Sequence, residues 1–144
     1  MKLYAVSSAV VAWLLEERRG EEIVGQLSSA DLVLASDLTL VECGRVLIKG
    51  IVMEEMTEAD AMGRRAQLNV TAEHWKVLQL GEEVTDRARR SFPNEPIKTL
   101  DALHLAFALF ARSLVPGIGL LSLDKRIRTA ARELGFEVLP ASIG

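Results

Sequence analysis

The chain has 144 residues, 49% of them hydrophobic and 26% charged, with a formal net charge of −3. That size and apolar fraction suit one globular domain with a proper core and exclude a disordered polymer, while the slight acidity excludes a uniformly basic nucleic-acid binder. A lone cysteine, Cys43, excludes an internal disulfide or a thiolate zinc cluster, and its apolar neighbours mark it as core.

The first segment, Leu3-Tyr-Ala-Val6, reads as a buried strand running into Ser7-Ser8, the expected N-cap of a helix over Ala9 to Leu15. Glu16 to Arg19 follow at once without a small-residue cleavage pattern, so a cytoplasmic protein is expected. A short helix over Glu21 to Leu27 precedes a second buried strand, Asp31 to Ala35. The next helix runs from Leu38 to Lys49 and is expected to stop at Gly50. Thr57 and Asp60 have capping-box spacing and open a helix reaching about Leu68. His74 to Leu80 reads as a third strand, Glu82 to Ser91 as a charged amphipathic helix.

Thr99 to Ala111 is apolar on every face apart from Asp101 and His104, which predicts a helix buried at the centre of the molecule. Pro93 and Pro96 break the chain before it; Pro116 and Gly117 stop it. Ile118 to Leu123 is then a buried strand ending at Asp124, Lys125 to Leu134 a helix closed by Gly135, and Phe136 to Leu139 a last strand. No apolar run reaches membrane-spanning length. Short strands without alternation, interleaved with helices, predict one three-layer α/β/α domain over 1–144 with a short parallel sheet covered by helices. In such sheets ligands bind beyond the carboxyl ends of the strands, which directs attention to the positions after Val6, Ala35 and Leu123.

Three acids stand out. Asp101 in a first helical turn is explained by the helix dipole, Asp124 by N-capping, and Glu42 by an i+3 pair with Arg45. Taken together at one sheet edge they would repel one another unless a cation screened them, and an all-oxygen set suits Mg²⁺ or Mn²⁺. Basic residues flank these acids: Lys98 before Asp101, then Lys125, Arg126 and Arg128 after Asp124, with Arg87, Arg89, Arg90 and Arg132 further out. A solvated helix face explains them, as does a local basic rim around an acidic centre.

Thr99-Leu-Asp-Ala-Leu-His-Leu-Ala106, Ser122-Leu-Asp124 with the basic helix after it, Glu42 in an early helix, and the opening Lys2 to Val10 resemble the PIN domain, and more narrowly VapC-type toxins of toxin–antitoxin pairs. The resemblance covers essentially the whole chain. It implies a metal-dependent endoribonuclease, usually dimeric, silenced by a small antitoxin protein, with a site of four acids. Glu42, Asp101 and Asp124 match three of them as metal ligands and catalytic carboxylates, and Lys98, Lys125, Arg126 and Arg128 are then expected to hold RNA. Where the family has aspartate after the first strand, this chain has Val6. Valine offers neither oxygen nor charge, so the resemblance implies weakened cleavage or, alternatively, an inactive module that binds an antitoxin or RNA. Ser7 and Ser8 are expected only to cap their helix, and His104 to pack rather than act as a base. A nucleotide-binding α/β domain ranks behind both, since no glycine-rich phosphate loop is present.

Overall fold

The computed structural model describes residues 1–143. In chain order the elements are β1 (Lys2–Ala5), α1 (Ser7–Leu14), α2 (Gly20–Ser29), β2 (Leu32–Ser36), α3 (Asp37–Val52), α4 (Glu58–Ala72), β3 (Lys76–Leu78), α5 (Glu82–Ala88), α6 (Thr99–Leu114), β4 (Gly119–Leu121), α7 (Lys125–Glu133) and β5 (Val138–Leu139). The strands form one parallel sheet in the order β3-β2-β1-β4-β5. Leu3 and Ala5 of β1 face a core shared with α1 to α4, whereas Tyr4 and Val6 face one shared with α5, α6 and α7. The period-two alternation of a strand thus divides the helices into two layers around the sheet, the three-layer architecture expected.

Chain order runs outward from β1 to β2 and β3, then jumps back across β1 to β4 and β5. The reversal leaves a crevice between the carboxyl ends of β1 and β4, where open parallel sheets hold their ligands. Val6 leaves β1 on one side of it and Asp124 follows β4 on the other.

The centre of the molecule is β1, not the helix expected there. α6 covers one face of the sheet and leaves Leu100 42% and Leu114 54% exposed, with Leu103 and Phe110 only partly covered. Its uniform apolarity therefore exceeds what burial inside this chain uses. Gly50 does not stop α3, which continues to Val52; a Cβ there would lie 2.6 Å from the Met56 side chain, so the glycine admits close packing instead. Gly135, at φ +93°, does end α7 in the left-handed conformation. The capping box is formed: Thr57 Oγ1 accepts from Asp60 N at 3.0 Å, and Asp60 accepts from Thr57 N at 3.2 Å. Thr57→Ala is expected to lower unfolding free energy by about 1 kcal/mol in urea denaturation, since it removes the acceptor of the Asp60 N–H at the helix end.

Candidate functional site at the carboxyl edge of the sheet

α6 begins at Lys98-Thr99 and lifts Asp101, in its first turn, to the crevice; β4 delivers Asp124 as the N-cap of α7. Asp124 Oδ1 accepts from Ile127 N at 3.0 Å, so the capping role is real but uses one carboxylate oxygen. Asp101 is half-buried, and the loss of water around it pushes its carboxyl pKa up. The neighbouring Asp124 carboxylate adds to the rise, while His104, Arg126 and Lys98 offset part of it. The Asp101 carboxyl thus feels the Asp124 charge across the crevice.

Glu42 comes from α3, and its partner is not Arg45. Its Oε1 lies 2.5 Å from His104 Nε2, a contact that spans 62 residues and joins the two helical layers across the sheet edge. Ser7 Oγ lies 3.2 Å from the same nitrogen. His104 is 2% exposed and its Nδ1 has no partner, so the ring places its one useful hydrogen bond on Glu42. A Ser-His-acid nucleophilic relay needs hydroxyl and carboxylate on opposite ring nitrogens; with both on Nε2, this cluster is no such relay. His104 is a packing and positioning residue, and the sequence offered no sign of which acid it holds.

The serines behave differently from expectation. The N-cap of α1 is Val6, without a side-chain cap bond. Ser7 turns to His104, and Ser8 Oγ accepts from Leu123 N at 2.9 Å and meets Ser122 Oγ at 3.2 Å. Both hydroxyls thus tie the end of β1 to the opposing elements, because β1 ends one residue earlier than its apolar run. Val6 itself is fully buried in the core beneath α6 and α7. Below it, burial pushes the Tyr4 hydroxyl pKa up; the nearby Ser36 hydroxyl offsets part of the rise, and the Asp37 and Glu42 charges add to it. Asp37, which the motif reading did not single out, also lies at this edge, where its carboxylate accepts from Leu80 N at 3.0 Å and fixes the exit of β3. Cys43 is the core residue expected: burial pushes its thiol up to about 12.

Among the described residues, no three His, Cys, Asp or Glu side chains gather as a metal-ligand set. Two carboxylates in mutual repulsion do fit one hard cation, which commonly takes one or two protein oxygens and keeps its waters. Glu42 does not join them as the side chains stand, and its Oε1 is held by His104. Removing the repulsion has a measurable signature. Asp101 holds its proton more tightly when folded than unfolded, so its ionisation erodes stability as pH rises through the carboxylate range. Asp101→Asn is expected to melt higher than the parent at pH 7 in chelator, with the difference closing toward pH 4; differential scanning fluorimetry across that range reads it.

The basic residues divide. Lys98, Lys125 and Arg126 are exposed and, among the described residues, engage no carboxylate within 4 Å. They line a cleft of about 720 Å³ that opens beside Asp101 between α6 and α7. Arg128 corrects the expectation that it faces RNA: it is 2% exposed, with Nη1 donating to Ser122 O at 2.8 Å and Nη2 to Pro140 O at 2.5 Å. It ties the end of β4 to the segment after β5. Among the outer arginines, Arg87 donates to the Arg90 and Ser91 carbonyls and covers the Phe92 ring at 4.1 Å. A wider depression between α1, α2 and α4 holds no comparable chemistry: Arg19 pairs with Glu22 at 3.2 Å, and Arg64 donates to Leu14 O.

Comparison with known proteins agrees with this layout. The PIN domain family model matches residues 3–133. Ribonuclease VapC35 of Mycobacterium tuberculosis is 39% identical over 49 residues, 34% of this chain and 36% of that protein; the match thus spans about a third of the curated relative. VapC20 of M. tuberculosis, described as a sarcin-ricin loop cleaving toxin, superposes with a TM-score of 0.65 at 16% identity over 93% of this chain and 95% of its own. VapBC2 of Rickettsia felis, solved on a DNA fragment from its promoter, gives 0.64 at 10% identity over 96% and 97%. A Klebsiella pneumoniae toxin–antitoxin complex gives 0.62 at 10% identity over 99% and 96%. These distant superpositions share the fold; the family match over nearly the whole chain decides the assignment, and the chain belongs to the PIN domain family.

Proposed function

We propose that this protein is an endoribonuclease of VapC type, dependent on Mg²⁺ or Mn²⁺ and weakened by Val6. The observation that carries the reading is the pairing of Asp101 with Asp124 at the β1–β4 crevice beside three cations that, among the described residues, engage no carboxylate. Asp101 and Asp124 would hold one divalent ion, with Glu42 as a third ligand once released from His104. Bound there, that ion supplies electrostatic activation of water and of the scissile phosphate. The chain's own part is to orient the attacking water with the two carboxylates and to hold phosphate oxygens with Lys98, Lys125 and Arg126. Water would add to phosphorus as the bond to the leaving ribose oxygen breaks, the water giving up a proton and the departing oxygen taking one from solvent to leave as a hydroxyl.

A second reading is favoured by a specific observation: Val6 is fully buried and Glu42 is engaged with His104, so the site lacks an assembled ligand set. The protein would then keep an antitoxin- or RNA-binding surface without cutting. The two readings separate on incubation of the protein with a structured RNA in Mn²⁺. Cleavage abolished by chelator and by Asp124→Asn supports the nuclease; intact RNA with retained binding supports the module.

A cytoplasmic homodimer paired with a small antitoxin completes the proposal. Among the described residues, no helix is long and apolar enough to cross a membrane. α3 exposes Val41, Ile48 and Val52 along one side, a surface suited to burial against another protein. Val52→Lys is expected to convert a dimer to a monomer in light scattering.

A further inference from the structure

Resting on the ribonuclease reading, we infer that His104 is a positioning residue that holds Glu42 away from Asp101 and Asp124, and so sets how much the third acid adds to cation binding at the crevice. Its Nε2 faces two acceptors at once: Glu42 Oε1 at 2.5 Å, from α3, and Ser7 Oγ at 3.2 Å, from the start of α1. A carboxylate has no proton to give, so Nε2 carries the hydrogen and donates it to Glu42. A bond from a ring N–H to a carboxylate is among the strong hydrogen bonds, and this one is made where the ring is 2% exposed. With it formed, no three His, Cys, Asp or Glu side chains gather as a ligand set among the described residues. The bonded position of Glu42 is thus a position outside that set.

The two ends of the contact differ in freedom. His104 shares the buried face of α6 with Ala108 and Ala111, so the ring is fixed. The Glu42 side chain keeps 26% exposure and has room to turn. Asp101 lies one turn before His104 on the same helix, close enough for the ring to influence its carboxyl, so Glu42 is held next to the acids it would join. Ser7 makes the hold reversible. When Glu42 turns away, the Nε2 hydrogen passes to the Ser7 hydroxyl already beside it, and no buried donor is stranded. Glu42 therefore divides its time between ring and crevice, and the apparent affinity for a cation is reduced in proportion to the fraction of molecules in which the carboxylate is free. Val6 and His104 thus act on the site in different ways: one position lacks a ligand, the other withholds one.

The test is Mn²⁺ binding to the intact protein, followed by electron paramagnetic resonance without RNA. His104→Phe keeps a ring in the core but has no donor, and is expected to bind Mn²⁺ about tenfold more tightly than the parent. His104→Gln, whose amide N–H restores a donor, is expected to return the affinity to that of the parent. In a Glu42→Gln background, His104→Phe should change nothing, a result that packing alone would not give; thermal melting checks the folding of each variant. A second measurement needs no substitution. On titration with diamagnetic Mg²⁺, the His104 Nε2–H proton resonance should move upfield as its acceptor changes from carboxylate to hydroxyl. Mn²⁺ bound equally or less tightly by His104→Phe, or a resonance that stays in place while Mg²⁺ saturates the site, would overturn the inference and leave the ribonuclease reading standing. Failure of the parent and all variants to bind either ion would overturn both.

Discussion

Val6→Asp is expected to raise Mn²⁺-dependent RNA cleavage by about a hundredfold, equivalent to roughly 3 kcal/mol of transition-state stabilisation. The position follows β1 and faces α6 and α7, the layer that delivers Asp101 and Asp124. A carboxylate there supplies the missing oxygens and gives the ion a ligand from a third element. The same substitution should destabilise the metal-free protein, because it buries a further negative charge at a position with no exposure, inside an apolar core. Divalent ion binds only the folded form and should restore the loss, so the melting temperature of the variant becomes steeply dependent on Mn²⁺. Paired cleavage and melting assays read both effects. A variant that is destabilised, fails to respond to Mn²⁺ and does not cut would show that Val6 is not a ligand position in this chain.

Arg128→Met should cost about 2–4 kcal/mol of stability, seen as a fall of about 10 °C in melting temperature, with little direct effect on RNA affinity at temperatures where the variant is folded. The guanidinium serves two carbonyls, Ser122 O and Pro140 O, in a buried setting. Methionine keeps much of the volume but leaves both acceptors without a donor. Lys125→Gln is the counterpart: it lies exposed on the cleft rim and should weaken RNA binding while leaving the melting temperature unchanged. Reversal of this pattern, with Arg128 governing RNA affinity and Lys125 governing stability, would contradict the assignment of the two residues.

Arg128 also shows where sequence reading runs short. The charge run after Asp124 is plain in the sequence, but charge alone does not say which way a side chain points. The periodicity held a usable sign: Arg128 is adjacent to Ile127 and three residues before Ala131, on the border of the helix's apolar stripe. Likewise, the acids at 101 and 124 were legible because each sits at a recognisable junction, a helix start after prolines and a strand end before a basic helix. The Glu42–His104 contact was not, since it joins two layers and depends on how α3 and α6 lie over the sheet. The alternation of strands and helices carried the architecture, whereas strand ends were set by pairing. β3 shrank to Lys76–Leu78, the span paired with β2 at the sheet's edge.

The central claim is that Asp101 and Asp124 together hold one hard cation despite Val6. The most direct measurement is Mn²⁺ binding to the unaltered protein by electron paramagnetic resonance, beside Asp101→Asn and Asp124→Asn. Asparagine at 124 still offers an oxygen to Ile127 N, so the helix cap survives while the charge is lost. The account predicts one bound Mn²⁺ per chain, lost in each variant, with both still folded. Mn²⁺ that fails to bind the parent, or binds both variants as well as the parent, would contradict it.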